Sequence, residues 1–220
     1  TMDQEIACAK EAGIDYWAFD WYPPEDGLAT ARSLYLSSSH RLDVRWCVIL
    51  CTGAFTSRDL TWQVEQFQTP NYQCVLGGRP LVYLFSADRK YAQLVTSLRE
   101  ECVRRGVPTP FVVCMGWHAV ATADVADACG TDALGAYVNP VGEGSPYAKN
   151  MEHERRQWEA LRATGKQVVP TVTTGWDTRP FFDHRVDWYP GATEGNWVET
   201  ARPGEVASQL EQSLGFVREN

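Results

Sequence analysis

The sequence has no apolar run close to the ~20 residues that a membrane-spanning helix needs, so no membrane span is expected. It also has no Cys-x-x-Cys, His-x-x-x-His or His-Glu-x-x-His spacing, and no Gly-x-Gly-x-x-Gly or P-loop motif. Such spacings hold metals, dinucleotides or nucleotide phosphates, so we expect neither a metal nor a cofactor. The opening segment TMDQEIACAKEAG has the polar pattern of a helix, which is not that of a signal peptide.

Positive charge is also scarce. The chain carries 28 acidic residues against 20 lysines and arginines, for a net charge of −8. That balance repels a phosphate backbone unless a basic stripe is present. The arginine pairs at 104–105 and 155–156 lie among acids on helical patterns, which is typical of solvated helix faces. We therefore do not expect nucleic acid as a partner.

The cysteine pattern gives no disulfide framework. There are seven cysteines, an odd number, and Cys47 and Cys51 lie four residues apart on a predicted strand. A strand rises by about 13 Å over that spacing, which is too far for a disulfide. We expect buried free thiols, a pattern that slightly favours the cytoplasm. Secretion stays open if the chain is a trimmed piece.

Short apolar runs alternate with helical patterns along the chain. Several runs are continuous, as in CVIL, LVYLF and FVVCM, which is typical of strands buried on both faces of a parallel sheet. The predicted strands are residues 14–21, 44–51, 80–85, 110–117, 134–139 and 167–173. The predicted helices are residues 2–12, 28–38, 59–68, 88–105, 123–129, 149–164 and 204–217.

Repeated βα units predict an α/β fold, either an open doubly wound sheet or a TIM barrel. The lack of a nucleotide-binding glycine motif favours the barrel, as do the polar and aromatic residues that follow the strands. Six strands lie between an opening and a closing helix, so we predict a TIM-like (β/α)8 barrel whose first and last strands are missing from this chain. Residues 1–220 would then be a single domain truncated at both ends, with room for further domains in a full-length chain.

Residues that follow the strands are the candidate site residues, because barrel chemistry lies there. The first strand ends in Asp20, Trp21 and Tyr22. Asp20 could bind a substrate hydroxyl or assist proton transfer. The alternative is that its carboxylate caps the next loop. The ends of later strands add three residues to the predicted substrate-binding set: Trp117, Tyr137 and Asn139.

The segment TTGWDTRP after the sixth strand is the most suggestive one. Trp176 offers an indole ring, and Asp177 lies two residues before Arg179. An ion pair between them would hold the pKa of Asp177 low, which suits a hydroxyl-binding carboxylate better than a general acid. The alternative is a structural Asp–Arg clip within a loop.

Aromatic residues make up 12% of the chain and include nine tryptophans. Aromatic rings pack against the C–H faces of sugars, and carboxylates accept hydrogen bonds from hydroxyls. An oligosaccharide or polysaccharide is therefore the expected partner. Glycosidic cleavage generally needs two carboxyl groups, and Asp20 with Asp177 are the fallback catalytic candidates.

Four segments, AKEAGIDYWAFDWY, VRWCVIL, GGRPLVYLF and PTVTTGWDTRP, occur in this order over nearly the whole chain. Together they resemble the glycoside hydrolase family 99-like domain, a group that includes the WbsX-like proteins of polysaccharide gene clusters. The resemblance implies a (β/α)8 barrel and endo-acting, configuration-retaining hydrolysis of α-mannoside-like glycans. It supports six residues as residues of the barrel mouth: Asp20, Trp21, Tyr22, Trp176, Asp177 and Arg179.

The chain departs from that family at the catalytic motif. The family carries its catalytic glutamates in an Asn-Glu-Trp-x-x-Glu-Gly-type motif on the final strand, and no such motif occurs here. The catalytic residues therefore stay unknown. We expect a glycosidase as the full-length protein and no activity from this chain alone. A non-catalytic glycan-binding barrel domain and an unrelated α/β enzyme with an open sheet are the alternatives.

Overall fold

The computed structural model describes most of the chain. The described residues are 1–51, 57–138, 140–187, 189, 191 and 193–219, with residues 57 and 58 described by their backbone only. The chain divides into two compact units. The first contains residues 1–115 and 124–133, and the second contains residues 116–123 and those from 134 onward.

Parallel strands form the sheet of the first unit. Its strands are β1 (Tyr16–Asp20), β2 (Arg45–Leu50), β3 (Cys74–Val75), β4 (Arg79–Leu84) and β5 (Phe111–Met115). The order is β1-β2-β4-β5 with parallel neighbours, and β3 pairs antiparallel with β4. Every residue of β5 is buried, and so is every residue of β2 after its first. Burial on both faces explains the continuous apolar runs in the sequence.

Helices alternate with these strands along the chain. They are α1 (Met2–Glu11), α2 (Thr30–Ser37), α3 (Ser57–Phe67), α4 (Tyr91–Arg105) and α5 (Ala119–Cys129). A capping box begins α1: the Thr1 side chain accepts from the backbone N–H of Gln4, and the Gln4 side chain accepts from the Thr1 backbone nitrogen in return. Gly106 ends α4 in the left-handed conformation, with φ of 68°.

One face of the first unit's sheet is covered by aromatic rings. Because side chains alternate along β1, Trp17 and Phe19 point to the same face. Both contact Tyr35 of α2, with ring centroids 5.8 Å and 5.3 Å apart. The adjacent Trp46 of β2 is fully buried. Tyr35 and Trp46 are fully buried and therefore not available to a ligand, whereas Trp17 and Phe19 are half-buried.

The second unit contains shorter strands and longer connections. Its elements are β6 (Ala133–Gly135, which begins in the first unit), α6 (Tyr147–Arg162), β7 (Gln167–Val168), β8 (Trp176–Asp177), α7 (Arg179–Asp183), β9 (Trp197–Val198) and α8 (Pro203–Arg218). The chain after β7 lies beside β6, where the Val169 N–H donates to the Leu134 carbonyl at 2.8 Å. Strands β8 and β9 form a separate two-stranded antiparallel sheet.

All six predicted strands and all seven predicted helices are present, with ends that differ by a few residues. The last two strands are shorter than predicted, since β6 ends at Gly135 and β7 ends at Val168. Four short elements were not predicted: β3, β8, α7 and β9. No helix in the described part of the chain has the length and apolarity to cross a membrane.

All seven cysteines are described, and each is a free thiol. Burial raises the pKa of Cys51 and Cys102 to about 12, so these thiols are protonated and react slowly at neutral pH. We predict that thiol titration of the denatured, unreduced protein finds all seven thiols. A titration that finds two fewer would reveal a disulfide and contradict the prediction.

Candidate functional site

A cleft in the second unit contains the segment that the sequence singled out. Its volume is about 300 Å³. Both strands of the small β8–β9 sheet contribute to it. The lining residues are Thr174, Gly175, Trp176, Asp177, Arg179, Trp197, Val198 and Thr200. Three predicted site residues, Trp176, Asp177 and Arg179, therefore lie together in one cleft.

The predicted ion pair between Asp177 and Arg179 is confirmed. Arg179 Nε donates to Asp177 Oδ1 at 2.9 Å, and Arg179 Nη2 donates to Asp177 Oδ2 at 2.7 Å. The backbone N–H of Arg179 adds a third bond to Oδ1 at 3.0 Å. These side-chain bonds first, and the backbone bond second, hold the pKa of Asp177 below its ordinary value. Both side chains are nearly half exposed, so the pair contributes little to stability.

Trp197 completes the cleft and was not predicted. The Arg179 guanidinium carbon lies over its ring, 4.3 Å from the centroid, in a cation–π contact. Gly144 lies against the indole edge, and a Cβ there would approach Trp197 Cζ2 to 2.7 Å. Only glycine allows this approach. Glycines at 142 and 144 were therefore a sequence signal for a close approach of the backbone to another group. The sequence did not show that this group is Trp197.

The wall of the cleft is held by backbone contacts between β8 and β9. Trp176 pairs with Val198 and Asp177 pairs with Trp197. Thr178 is fully buried, and its hydroxyl donates to the Asn196 carbonyl at 2.7 Å. The cleft is therefore built on a hydrogen-bonded pair of antiparallel strands and not on an unpaired loop.

A buried polar network lies next to the cleft segment in sequence. At its centre is Glu154 of α6, which is 2% exposed. Its carboxylate accepts from Asn150 Nδ2 at 3.1 Å, from the Thr173 N–H at 3.3 Å and from Gln209 Nε2. The single hydroxyl hydrogen of Tyr147 is shared between two acceptors, the Thr173 carbonyl and Gln209 Oε1. The network connects α6, α8 and the residue before Thr174, which lines the cleft.

Burial is the main influence on the Glu154 carboxyl. It raises the pKa of Glu154, while the hydrogen bonds from Thr173, Gln209 and Asn150 act in the opposite direction. Sequence reasoning missed Glu154, because a glutamate within a charged helix pattern is usually solvated.

Two further predicted site residues lie in the second unit outside the cleft lining. Trp117 is 40% exposed, and its indole N–H donates to the Val138 carbonyl at 2.6 Å. Tyr137 is 39% exposed. Asn139, which was predicted with them, lies outside the described residues.

Trp21 requires a correction to the sequence analysis. It is 2% exposed, with its ring 4.8 Å from Trp62 and under the Arg32 guanidinium at 4.2 Å. Trp21 therefore belongs to the core of the first unit and offers no ring face to a ligand. The alternation along β1, which places it with Trp17 and Phe19, was the signal that could have shown this.

Asp20 and Tyr22 lie at the carboxyl end of β1 in the first unit. Cys51 Sγ lies 4.0 Å from Asp20 Oδ1. The Tyr22 carbonyl accepts from Arg32 Nη2 at 2.5 Å. Burial raises the pKa of Tyr22, and the nearby Cys51 and Asp20 add to that rise. Among the described residues, no group of three metal-binding side chains occurs in either unit.

Comparison with known proteins identifies the fold. No protein-family model matches the sequence, and no curated protein matches it. A GH99 endo-α-mannosidase from Bacteroides thetaiotaomicron, solved in complex with Bis-Tris propane, matches 99% of this chain and 82% of its own, with a TM-score of 0.58 and 12% identity. Another structure of a GH99 endo-α-mannosidase from that organism matches 99% of this chain and 78% of its own, with a TM-score of 0.57 and 15% identity.

The chain has a GH99-like fold. The predicted fold class, an α/β chain of TIM-barrel type, is thereby confirmed. At 12–15% identity the likeness is one of structure, and a shared fold does not by itself assign a substrate.

Proposed function

We propose that this chain is a glycoside hydrolase-type, carbohydrate-active protein that binds α-mannoside-like oligosaccharides or polysaccharides in the cleft that β8 and β9 line. The observation that carries the proposal is the grouping of Trp176 and Trp197 with the Asp177–Arg179 pair in one open cleft. The likeness to endo-α-mannosidases supports a glycan as the ligand.

The chemistry of the cleft suits a sugar. Indole rings pack against C–H faces, while charged and hydroxyl side chains exchange hydrogen bonds with sugar hydroxyls. Thr174 and Thr200 add hydroxyl-bearing residues to the lining. A wholly apolar ligand would leave the Asp177–Arg179 pair desolvated without compensation.

Asp177→Asn is expected to weaken the binding of a neutral α-manno-oligosaccharide by about 1.5–3 kcal/mol, because Arg179 loses its charged partner and its fixed position. Isothermal titration calorimetry gives the Kd, and thermal unfolding gives the Tm. The matched control is Glu211→Gln, an exposed carboxylate on α8 outside the cleft lining. A lower Tm with unchanged Kd would instead identify the pair as a structural clip.

Binding without catalysis is the second candidate function, and the Asp177 carboxylate favours it. An aspartate is ordinarily ionised at neutral pH, and the hydrogen bonds from Arg179 lower the pKa of Asp177 further, so this carboxyl cannot serve as the proton donor to a leaving oxygen. Release of reducing ends from α-mannosides, measured beside the Kd, separates a hydrolase from a binding domain. Asp20 and Asp177 each stay a fallback catalytic candidate, to be substituted one at a time in that assay.

A further inference from the structure

The Arg179 guanidinium has two edges that can each bind a carboxylate, and only one of them is occupied. The side edge, formed by Nε and Nη2, is bound by both oxygens of Asp177. The end edge, formed by Nη1 and the second hydrogen of Nη2, has no acceptor among the described residues. That edge presents two parallel N–H donors, the arrangement that matches a carboxylate in a bidentate pair.

Asp177, in contrast, has little capacity left for a ligand. Its Oδ1 accepts from the backbone N–H and from Nε of Arg179, and its Oδ2 accepts from Nη2 and, at 3.2 Å, from Nε. A carboxylate has about four lone-pair positions, and these contacts use most of them. The cleft therefore offers hydrogen-bond donors from Arg179 more readily than acceptors from Asp177.

The position of the guanidinium is fixed before any ligand arrives. Asp177 holds one edge, and the Trp197 ring lies against one face at 4.3 Å. Arg179 remains nearly half exposed in the cleft lining. A group held on an edge and a face loses little conformational entropy when it binds a planar oxyanion, which increases affinity.

We propose, resting on the proposed glycan function, that Arg179 contacts the ligand directly, that Asp177 positions Arg179, and that the ligand is an acidic glycan whose uronate carboxylate binds the end edge of the guanidinium. The rings of the cleft then pack against the sugar that carries the carboxylate. No other cation lines the cleft among its described residues, so the preference for an acidic sugar depends on Arg179.

The test uses three ligands that differ only at C6. The first is α-1,2-mannotriose, and the second is the same trisaccharide oxidised at C6 to carboxylates. The third is the methyl ester of the oxidised trisaccharide, an uncharged control of similar size. The Kd of each is measured by calorimetry for the wild-type chain, Arg179→Gln, Arg179→Lys and Arg218→Gln. Arg218 is an exposed arginine at the end of α8, outside the cleft, and serves as the control. The Tm of each variant is measured alongside.

We expect the oxidised trisaccharide to bind the wild-type chain about tenfold more tightly than the parent or the ester. Arg179→Gln should abolish the preference. Arg179→Lys should retain only part of it, because an ammonium group has no planar edge. Arg218→Gln should retain all of it.

Two outcomes overturn the inference while leaving the proposed function in place. One is equal affinity for the parent and the oxidised trisaccharide, and the other is an acidic preference that survives in Arg179→Gln. If none of the ligands binds, the proposed function fails and the inference fails with it.

Discussion

Asp132→Ala is expected to destabilise the first unit by about 3 kcal/mol, because it leaves two partly buried guanidinium groups without their shared partner. Asp132 Oδ1 accepts from Arg79 Nη2 at 2.8 Å, and Oδ2 accepts from Arg99 Nη2 at 3.0 Å. The backbone N–H of Val112 also donates to Oδ2, at 2.9 Å. One carboxylate thus joins the start of β4, helix α4 and strand β5.

The surroundings of Asp132 explain why this effect should be large. Its side chain is 20% exposed, and those of Arg79 and Arg99 are 28% and 29% exposed. Arg79 is also bound to the carbonyls of Thr109 and Pro110, so it cannot swing out into water without breaking those bonds. Its positive charge would remain near the sheet end without compensation.

Thermal or urea unfolding measures the effect, and a loss of this size lowers Tm by roughly 6–12 °C for a chain of this length. Asp132→Asn should lie between wild type and Asp132→Ala, because one oxygen acceptor is retained. Asp124→Asn, an exposed carboxylate on α5, is the matched control. If Asp132→Ala were as stable as that control, the cluster would be an ordinary surface arrangement.

The strands of the first unit could be predicted because a strand that is buried on both faces is a continuous run of apolar residues in the sequence. Phe111–Met115 is entirely buried, and its five apolar residues stand out in any window of the sequence. The capping box at Thr1 and the left-handed Gly106 are local signals of the same kind. Each of these features depends on residues within a few positions of one another.

The cleft could be predicted only in part, because its second strand comes from a distant segment. Trp176–Asp177 pairs with Trp197–Val198, and each strand has two residues, too few for any periodicity. The Asp177–Arg179 pair was predictable since its partners lie two residues apart. The Trp197–Arg179 contact spans eighteen positions and depends on tertiary structure, which composition does not reveal.

Trp21 and Glu154 show the opposite limits of reasoning from residue type. A tryptophan beside an aspartate at a strand end resembles a stacking platform, yet Trp21 is buried beneath Arg32. A glutamate among charged helix residues resembles a solvated side chain, yet Glu154 is 2% exposed. Burial of a single residue is decided by what packs on it, so the type of the residue alone misassigns both.

Glu154→Ala is expected to cost about 3–5 kcal/mol of stability, the largest effect predicted for a single substitution in this chain. It removes the acceptor of two buried donors, Asn150 Nδ2 and Gln209 Nε2, and of the half-buried Thr173 N–H. Each donor left unsatisfied costs about 1–3 kcal/mol, partly offset because an ionised carboxylate is no longer buried.

Glu154→Gln separates the hydrogen bonds from the charge. The amide keeps the shape, and with its oxygen toward Thr173 and Gln209 it still accepts both of their bonds. Only the contact with Asn150 must rearrange. At neutral pH this variant should therefore be close to wild type in stability, within about 1 kcal/mol, although it removes the same carboxylate as Glu154→Ala.

The difference in unfolding free energy between wild type and Glu154→Gln should change with pH. The direction of that change shows how burial affects the charge of Glu154. Burial raises the pKa of Glu154 in the folded chain above that in the unfolded chain. Between those two pKa values the folded state holds the proton and the unfolded state does not, so the contribution of Glu154 to stability falls as pH rises through this window. Wild type should thus gain stability relative to Glu154→Gln as pH falls from neutral toward the ordinary pKa of glutamate. Urea unfolding of both proteins across this range measures the difference, and a wild type that instead lost stability relative to the glutamine variant on acidification would show that hydrogen bonding outweighs burial at Glu154.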